Sequence, residues 1–133
     1  MKPSGPSSNN ERLRHLREYL VLDSLAQGVP ENYETIVQWA KTIDSHSNPD
    51  YQEIQRLADV DRLTAGEIAW MLIELCHSGF VRALPTNEEG VILPRVENEP
   101  VDTEIDKYYF EISNRGKLRW KDLESECKHS VNP

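Results

Sequence analysis

Cysteine, methionine, glycine and basic residues are scarce in this chain of 133 residues. With only two cysteines, the protein has no disulfide framework, and its thiols indicate a reducing compartment such as the cytoplasm. No apolar stretch approaches the roughly 20 residues that a membrane-spanning helix requires. The first ten residues also lack the apolar segment of a secretory or transit peptide. We therefore expect one cytoplasmic domain and no contact with a membrane.

Charge is distributed unevenly along the chain. Acidic residues outnumber basic ones by 23 to 15, which leaves a net charge of −8. Residues 18–114 contain 19 acidic and 6 basic residues, a balance of −13, whereas the two ends contain 4 and 9, a balance of +5. Because an acidic surface repels nucleic acid and attracts cations, the central part of the chain favours a basic protein as its partner.

Composition divides the chain into three parts. Residues 1–10 are rich in Pro, Ser and Asn and are predicted to form a disordered tail. Residues 11–128 contain the periodic apolar pattern of a folded domain, with helices at both ends. The last residues, 129–133, are predicted to be a second disordered tail.

Helical periodicity and capping residues predict most of the domain. The expected helices run from Asn10 to about Ala26, from Asn32 to about Thr42, and from Asp50 to Ala58 with Ile54 and Leu57 buried. The clearest signal lies over 65–78, where Thr64 and Glu67 form a capping box and Gly79 stands at the usual place of a C-terminal glycine. Ser113 caps a last helix.

Extended segments follow Gly79. Residues 80–84 and 91–93 suit a hairpin, and the aromatic and β-branched residues 107–112 suit a strand. Residues 97–106 carry five carboxylates and no base, so we expect a mobile loop, whose ordering on binding the sequence leaves open. The predicted fold class is therefore α+β, mostly helical, with a small two- or three-stranded antiparallel sheet.

The order of elements from Tyr51 to Leu118 forms a larger pattern. A short helix and a turn lead to the capped helix, which Gly79-Phe80-Val81 closes, and Tyr109 to Ser113 then enters the last helix at Arg115-Gly116. This pattern resembles the winged helix-turn-helix superfamily, best known from bacterial transcription regulators. The resemblance implies a winged-helix domain in which the sheet is the wing and the capped helix lies in the major groove of DNA.

The capped helix departs from the DNA-binding pattern, because it contains no Lys or Arg, the residues that neutralise phosphates. The face opposite its core stripe also carries an aromatic residue and two carboxylates. One interpretation is that this face is exposed and binds a protein partner, which is basic; the other is that flanking elements cover it. The residues concerned are Trp70, Ile73 and His77, with Glu67 and Glu74 on the flank.

Both terminal helices carry apolar stripes and basic clusters. The stripes serve either a homodimer interface or the monomer core, and they consist of Leu22, Leu25, Trp120, Leu123 and Cys127. The basic cluster of the last helix is either solvated or a nucleic-acid contact, and it consists of Arg115, Lys117, Arg119 and Lys121. A basic triplet on the first helix, Arg12, Arg14 and Arg17, is interpreted as a solvated face.

Motifs for catalysis, metals and cofactors are missing. Asp44, Ser45 and His46 have the residue types of a hydrolase triad, but neighbours on one loop rarely acquire triad geometry. The segment from Asp59 to Asp61 begins like a calcium loop and lacks the later ligand and glycine. The Cys-His pairs lack metal-ligand spacing, and no P-loop or dinucleotide fingerprint is present.

We therefore expect no enzymatic activity, no bound metal and no cofactor. The sequence predicts a non-catalytic regulatory subunit or adaptor that acts through protein contact. The alternative is a dimeric DNA-binding transcription regulator, which would reach DNA through its wing and its basic terminal helices.

Overall fold

The computed structural model describes residues 6–42, 49–97 and 100–131. The fold is α+β, 61% helical with one three-stranded antiparallel sheet, which confirms the predicted fold class. Its elements are, in chain order, α1 (Pro6–Asp23), β1 (Glu31–Asn32), α2 (Tyr33–Lys41), α3 (Pro49–Leu57), α4 (Ala65–His77), β2 (Val81–Pro85), a 3-10 helix (Asp102–Lys107), β3 (Tyr108–Ile112) and α5 (Asn114–Val131). Within the described residues, none of the helices has the length and apolar character needed to cross a membrane.

Side-chain caps start α2 and α4 where the sequence predicts them. Asn32 accepts a hydrogen bond from the backbone N–H of Thr35 at 2.8 Å. Thr64 and Glu67 form the predicted capping box, and Gly79 follows α4 with a φ of +79°. Because these signals act over three or four residues, they do not depend on the rest of the fold.

The terminal helices extend further than predicted. α1 begins at Pro6 and not at Asn10, and α5 continues to Val131, so residues 6–10 and 129–131 are helical. The cause is non-local, since the two helices pack along each other. The Arg12 side chain donates a hydrogen bond to the Ser130 hydroxyl at 3.2 Å, and His15 lies 2.7 Å from a Glu126 carboxylate oxygen.

Helix α3 buries a different set of residues from the one expected. Leu57 is exposed, whereas Gln55 is fully buried beside Ile54. The Gln55 amide donates to the Ala40 carbonyl at 3.0 Å and lies within 3.5 Å of the Trp39 and Thr42 carbonyls. Gln55 thus satisfies the C-terminal carbonyls of α2, a task that an apolar residue cannot perform.

The sheet has the order β1-β3-β2, so β3 lies in its centre. Val81 lies opposite Ile112, and Pro85 lies opposite Tyr108. The predicted hairpin between residues 80–84 and 91–93 is therefore wrong as the main pairing, and residues 91–93 contribute only a bridge between Thr86 and Ile92. β2 pairs with β3 because the inward residues of β3, Tyr108, Phe110 and Ile112, are all buried.

The acidic segment 97–106 is partly ordered in the free chain. Tyr108 donates a hydrogen bond to Glu97 at 3.1 Å, and Ile105 in the 3-10 helix is buried. Residues 98 and 99 lie outside the described part of the chain. Burial of one apolar side chain thus organises the described residues of a segment that composition alone predicts to be mobile.

The start of α5 approaches the end of α4 closely at Gly116. A Cβ at this position would lie 2.0 Å from the Phe80 carbonyl oxygen and 2.7 Å from Ile112 Cγ1. Ser113, which precedes α5, donates to the Gly79 carbonyl at 2.6 Å and accepts from the Gly116 N–H at 3.0 Å. These contacts anchor α5 on the turn that follows α4.

We expect Gly116→Ala to destabilise the protein by about 3 kcal/mol, because the added methyl group overlaps the Phe80 backbone. The matched control is Gly66→Ala near the start of α4, where the nearest atom lies 3.9 Å away. That variant should be neutral or stabilising by up to about 1 kcal/mol. Urea unfolding of both variants measures the difference, and equal stabilities would contradict the close approach.

Candidate functional site

The outward side of α4 presents an exposed tryptophan. Trp70 is 58% exposed, and we call its surroundings the Trp70 face, which consists of the exposed residues Gly66, Glu67, Trp70, Glu74 and His77. α4 contains no Lys or Arg. Of the two interpretations that the sequence leaves open, exposure is therefore the one that the structure shows for Trp70.

Ile73 does not belong to this surface. It is only 8% exposed, so its assignment to the interaction face is wrong. α4 contacts α1, α2, β2 and the 3-10 helix, and its buried arc is wider than the single stripe that the helical wheel predicts. The exposed arc is correspondingly narrower and is centred on Trp70 and Glu74.

The two carboxylates of the Trp70 face have different roles. Glu67 accepts hydrogen bonds from the backbone N–H and the hydroxyl of Thr64, at 2.9 and 3.1 Å, and lies 3.7 Å from Arg17. The hydrogen bond from the Thr64 backbone lowers the pKa of Glu67. Glu67 is thus held as a helix cap, whereas Glu74 forms no ion pair with any described residue.

Two adjoining cavities border the Trp70 face where α1 passes α4. One has a volume of about 290 Å³ and lies between Arg17 and Trp70, and the other, about 220 Å³, extends to Phe80. Arg14, Met71 and Glu74 line both. The result is an apolar-floored groove with an exposed cation on one wall and an exposed carboxylate on the other.

The sequence prediction missed the structural part played by the first basic triplet. Arg17 is not solvated, because it donates to the carbonyls of Ala58 at 2.8 Å and Asp59 at 3.2 Å. It thereby satisfies carbonyls at the end of α3. The only available signal is the spacing that places Arg14 and Arg17 on one side of a helix, and this spacing does not reveal what the helix packs against.

The basic cluster of α5 is divided by the fold. Arg119 forms a bidentate pair with Glu18 at 2.8 and 3.2 Å, and this hydrogen bonding raises the pKa of Arg119. The other three basic residues are exposed around Leu118, which is itself 66% exposed. We call this surface the basic patch; it consists of Arg115, Lys117, Leu118 and Lys121.

The apolar stripes of the terminal helices form part of the monomer core, and the alternative of an interface is wrong. Trp120 is half-buried and packs against that core. The other four residues are at most 1% exposed, and they are Leu22, Leu25, Leu123 and Cys127. α1 and α5 pack against each other, and these four buried residues are unavailable to a second chain.

No group of three His, Cys, Asp or Glu side chains within the described residues could hold a metal ion. Asp44, Ser45 and His46 lie outside these residues. Cys76 and Cys127 are buried free thiols, and burial raises the pKa of each to about 12. At neutral pH both are therefore protonated, which makes them poor nucleophiles and poor metal ligands.

Comparisons with protein-family models, with curated proteins and with solved structures gave no match for this chain.

Trp70→Ala and Ile73→Ala compare an exposed residue with a buried residue of α4, and we expect them to differ in their effect on stability. We expect Trp70→Ala to change the free energy of unfolding by no more than about 0.5 kcal/mol, since the indole is exposed. Ile73→Ala should cost about 2–4 kcal/mol, because it leaves a cavity. Urea unfolding measures both. A large loss of stability in Trp70→Ala would show that the indole belongs to the core.

The thiols should react slowly in the folded protein. Because burial raises their pKa above the unfolded value, the stability that they contribute is complete below about pH 9 and is lost as the pH rises towards 12. At pH 8 we expect labelling by a disulfide reagent to be at least about 100-fold slower than in urea-unfolded protein. Fast labelling of either cysteine in the native state would contradict this burial.

Proposed function

We propose that this protein is a non-catalytic module of the winged-helix type that works in the cytoplasm by binding another protein. The observation that carries the proposal is the exposure of Trp70 on a helix without Lys or Arg. A regulatory subunit or an adaptor would use such a surface. The resemblance in element order supports the winged-helix type, and the charge of the face supports a basic partner.

The energetics of an exposed indole favour protein contact. Burial of a tryptophan in a partner's pocket is a common hot spot, and its loss typically costs 2 kcal/mol or more. Glu74, without an ion pair among the described residues, supplies charge at the rim of the contact. Rim charges steer association and select a partner of opposite charge.

The Trp70 face is poorly suited to DNA. A duplex laid against α4 would bring phosphates next to Glu67 and Glu74, and α4 itself offers no Lys or Arg to neutralise them. Arg17, the nearest cation recorded beside Glu67, is already engaged by backbone carbonyls of α3. The resemblance implies that this helix binds in the major groove of DNA, and this is therefore not the role that we propose for it.

One observation favours a second candidate function. Arg115, Lys117 and Lys121 are exposed on α5, and this basic patch could neutralise phosphates in a dimeric DNA-binding regulator. Arg119, the fourth member of the predicted cluster, is tied to Glu18 and contributes less. The candidate thus rests on three cations, none of which lies on the helix that reads DNA in winged-helix regulators.

The proposed function is tested by affinity capture followed by measurement with purified components. Partners captured by the wild-type chain are identified, purified and titrated against the wild type, Trp70→Ala and the control Val91→Ala, which removes another exposed apolar side chain. We expect Trp70→Ala to weaken binding by about 30-fold or more and Val91→Ala to leave it unchanged. Equal binding by all three proteins would refute the role of Trp70.

A salt series of duplex binding tests the alternative. If the basic patch binds DNA, affinity should fall steeply as salt rises, and a triple variant that neutralises Arg115, Lys117 and Lys121 should lose both the affinity and the salt dependence. For the function proposed here we expect no measurable duplex binding at physiological salt. Tight, salt-sensitive binding that the triple variant abolishes would replace this function by DNA binding.

A further inference from the structure

Two exposed apolar side chains, one on α4 and one on α5, have charged neighbours of opposite sign. Trp70 is 58% exposed, and the charged members of its face are Glu67 and Glu74. Leu118 is 66% exposed, and the charged members of the basic patch are Arg115, Lys117 and Lys121. Each surface therefore has an apolar centre, and the carboxylates beside Trp70 are opposite in sign to the cations beside Leu118. Arg14 also borders the Trp70 face, and Asp122 is exposed next to the basic patch.

The turn that follows α4 contacts the start of α5. The hydroxyl of Ser113, just before α5, donates to the carbonyl of Gly79, just after α4, at 2.6 Å. The guanidinium of Arg115 lies 5.2 Å from the centre of the Phe80 ring, which also follows α4. The end of α4 and the start of α5 thus meet, and His77 of the Trp70 face and Arg115 of the basic patch are the members nearest to this junction along the chain.

We propose that the protein partner of the Trp70 face is a second copy of this chain, so that Trp70 and Glu74 of each protomer contact the partner's Leu118 and Lys121. This inference rests on the proposed function, because it assigns a partner to the same face. The chain as a whole carries a net charge of −8, so the basic surface that this face favours is supplied locally by the basic patch. A two-fold axis near the junction of α4 and α5 would let every contact occur twice. The reciprocal arrangement buries both exposed apolar centres against groups of opposite charge.

The charged residues in and beside the basic patch are the reason for proposing a second copy as the partner. Asp122, which is exposed next to Lys121, interacts electrostatically with Arg119 of its own chain. Neither Lys117 nor Lys121 has an ion-pair partner among the described residues. The basic patch therefore presents unpaired cations, the complement that Glu74 lacks within its own chain.

The dimer proposed here differs from the one that apolar stripes would form. Four of the five stripe residues are at most 1% exposed, so these four cannot contribute to an interface without unfolding. Trp70 and Leu118 are exposed in the folded monomer, and their use costs no opening of the core. The residues that a dimer requires are thus available in the folded chain.

Sedimentation velocity of the full chain across a wide concentration range tests the proposal. We expect a monomer–dimer equilibrium, which Trp70→Ala and Leu118→Ala each weaken by about 30-fold. Glu74→Lys and Lys121→Glu should each weaken it by about tenfold, because like charges then face each other. The matched control Lys128→Glu changes the same charge at an exposed position of α5 outside the basic patch and should leave the equilibrium unchanged.

A mixture of two variants supplies the most direct readout. When Glu74→Lys and Lys121→Glu are combined, a mixed dimer pairs opposite charges at both of its reciprocal contacts, so we expect it to form with about the wild-type affinity. Circular dichroism and thermal unfolding of each variant show that it is folded. Absence of a dimer, dimers that the variants do not weaken, or failure of the mixture to restore association would each overturn the proposal.

The outcomes also separate this inference from the function on which it rests. If the chain stays monomeric while Trp70→Ala abolishes binding of a different protein, the second copy is the wrong partner and the proposed function stands. If Trp70→Ala affects neither self-association nor the binding of any captured protein, the inference and the proposed function are both wrong. Binding of duplex DNA that Lys121→Glu abolishes, with no dimer, would assign the basic patch to DNA.

Discussion

Asp23, at the end of α1, holds three helices together through hydrogen bonds to two tryptophans. One carboxylate oxygen accepts from the Trp39 indole of α2 at 3.2 Å, and the other accepts from the Trp120 indole of α5 at 3.1 Å. Its charge also contributes, after burial, to the raised pKa of the Tyr51 hydroxyl of α3. A carboxylate that accepts two N–H groups in a partly buried place fixes their orientation strongly. The positions of α2 and α5 relative to α1 depend on this group.

The packing of α1 against α5 determines what is left for the surface. It buries both apolar stripes and pairs Arg119 with Glu18, which removes a cation from the basic cluster. α1 also passes α4 closely enough for Arg17 to reach Glu67, at 3.7 Å, and to cap α3. The Trp70 face, the groove beside it and the basic patch are among the exposed features that remain. The candidate site thus consists of surface that α1 and α5 leave exposed.

Local signals explain which parts of this structure could be predicted from the sequence. The caps at Asn32 and Thr64 and the glycine at 79 act within a few residues, so the starts of α2 and α4 and the end of α4 follow from them. The choice of β3 as the partner of β2, the fate of the stripes and the burial of Ile73 and Gln55 depend on residues far apart in the chain. A helical wheel shows which residues share a face, but it cannot show how many neighbours a helix has.

Local and long-range contacts also both act on the candidate site, and together they determine how well it is ordered before a partner binds. The exposed side of α4 is held by contacts that need no partner: the capping box at its start, the Ser113 contact to Gly79 at its end, and the Glu67 interaction with Arg17 along its flank. Because the backbone beneath Trp70 is fixed in this way, binding requires little further ordering beyond the indole itself. An exposed aromatic residue on a rigid helix therefore retains most of the free energy that its burial in a partner would release.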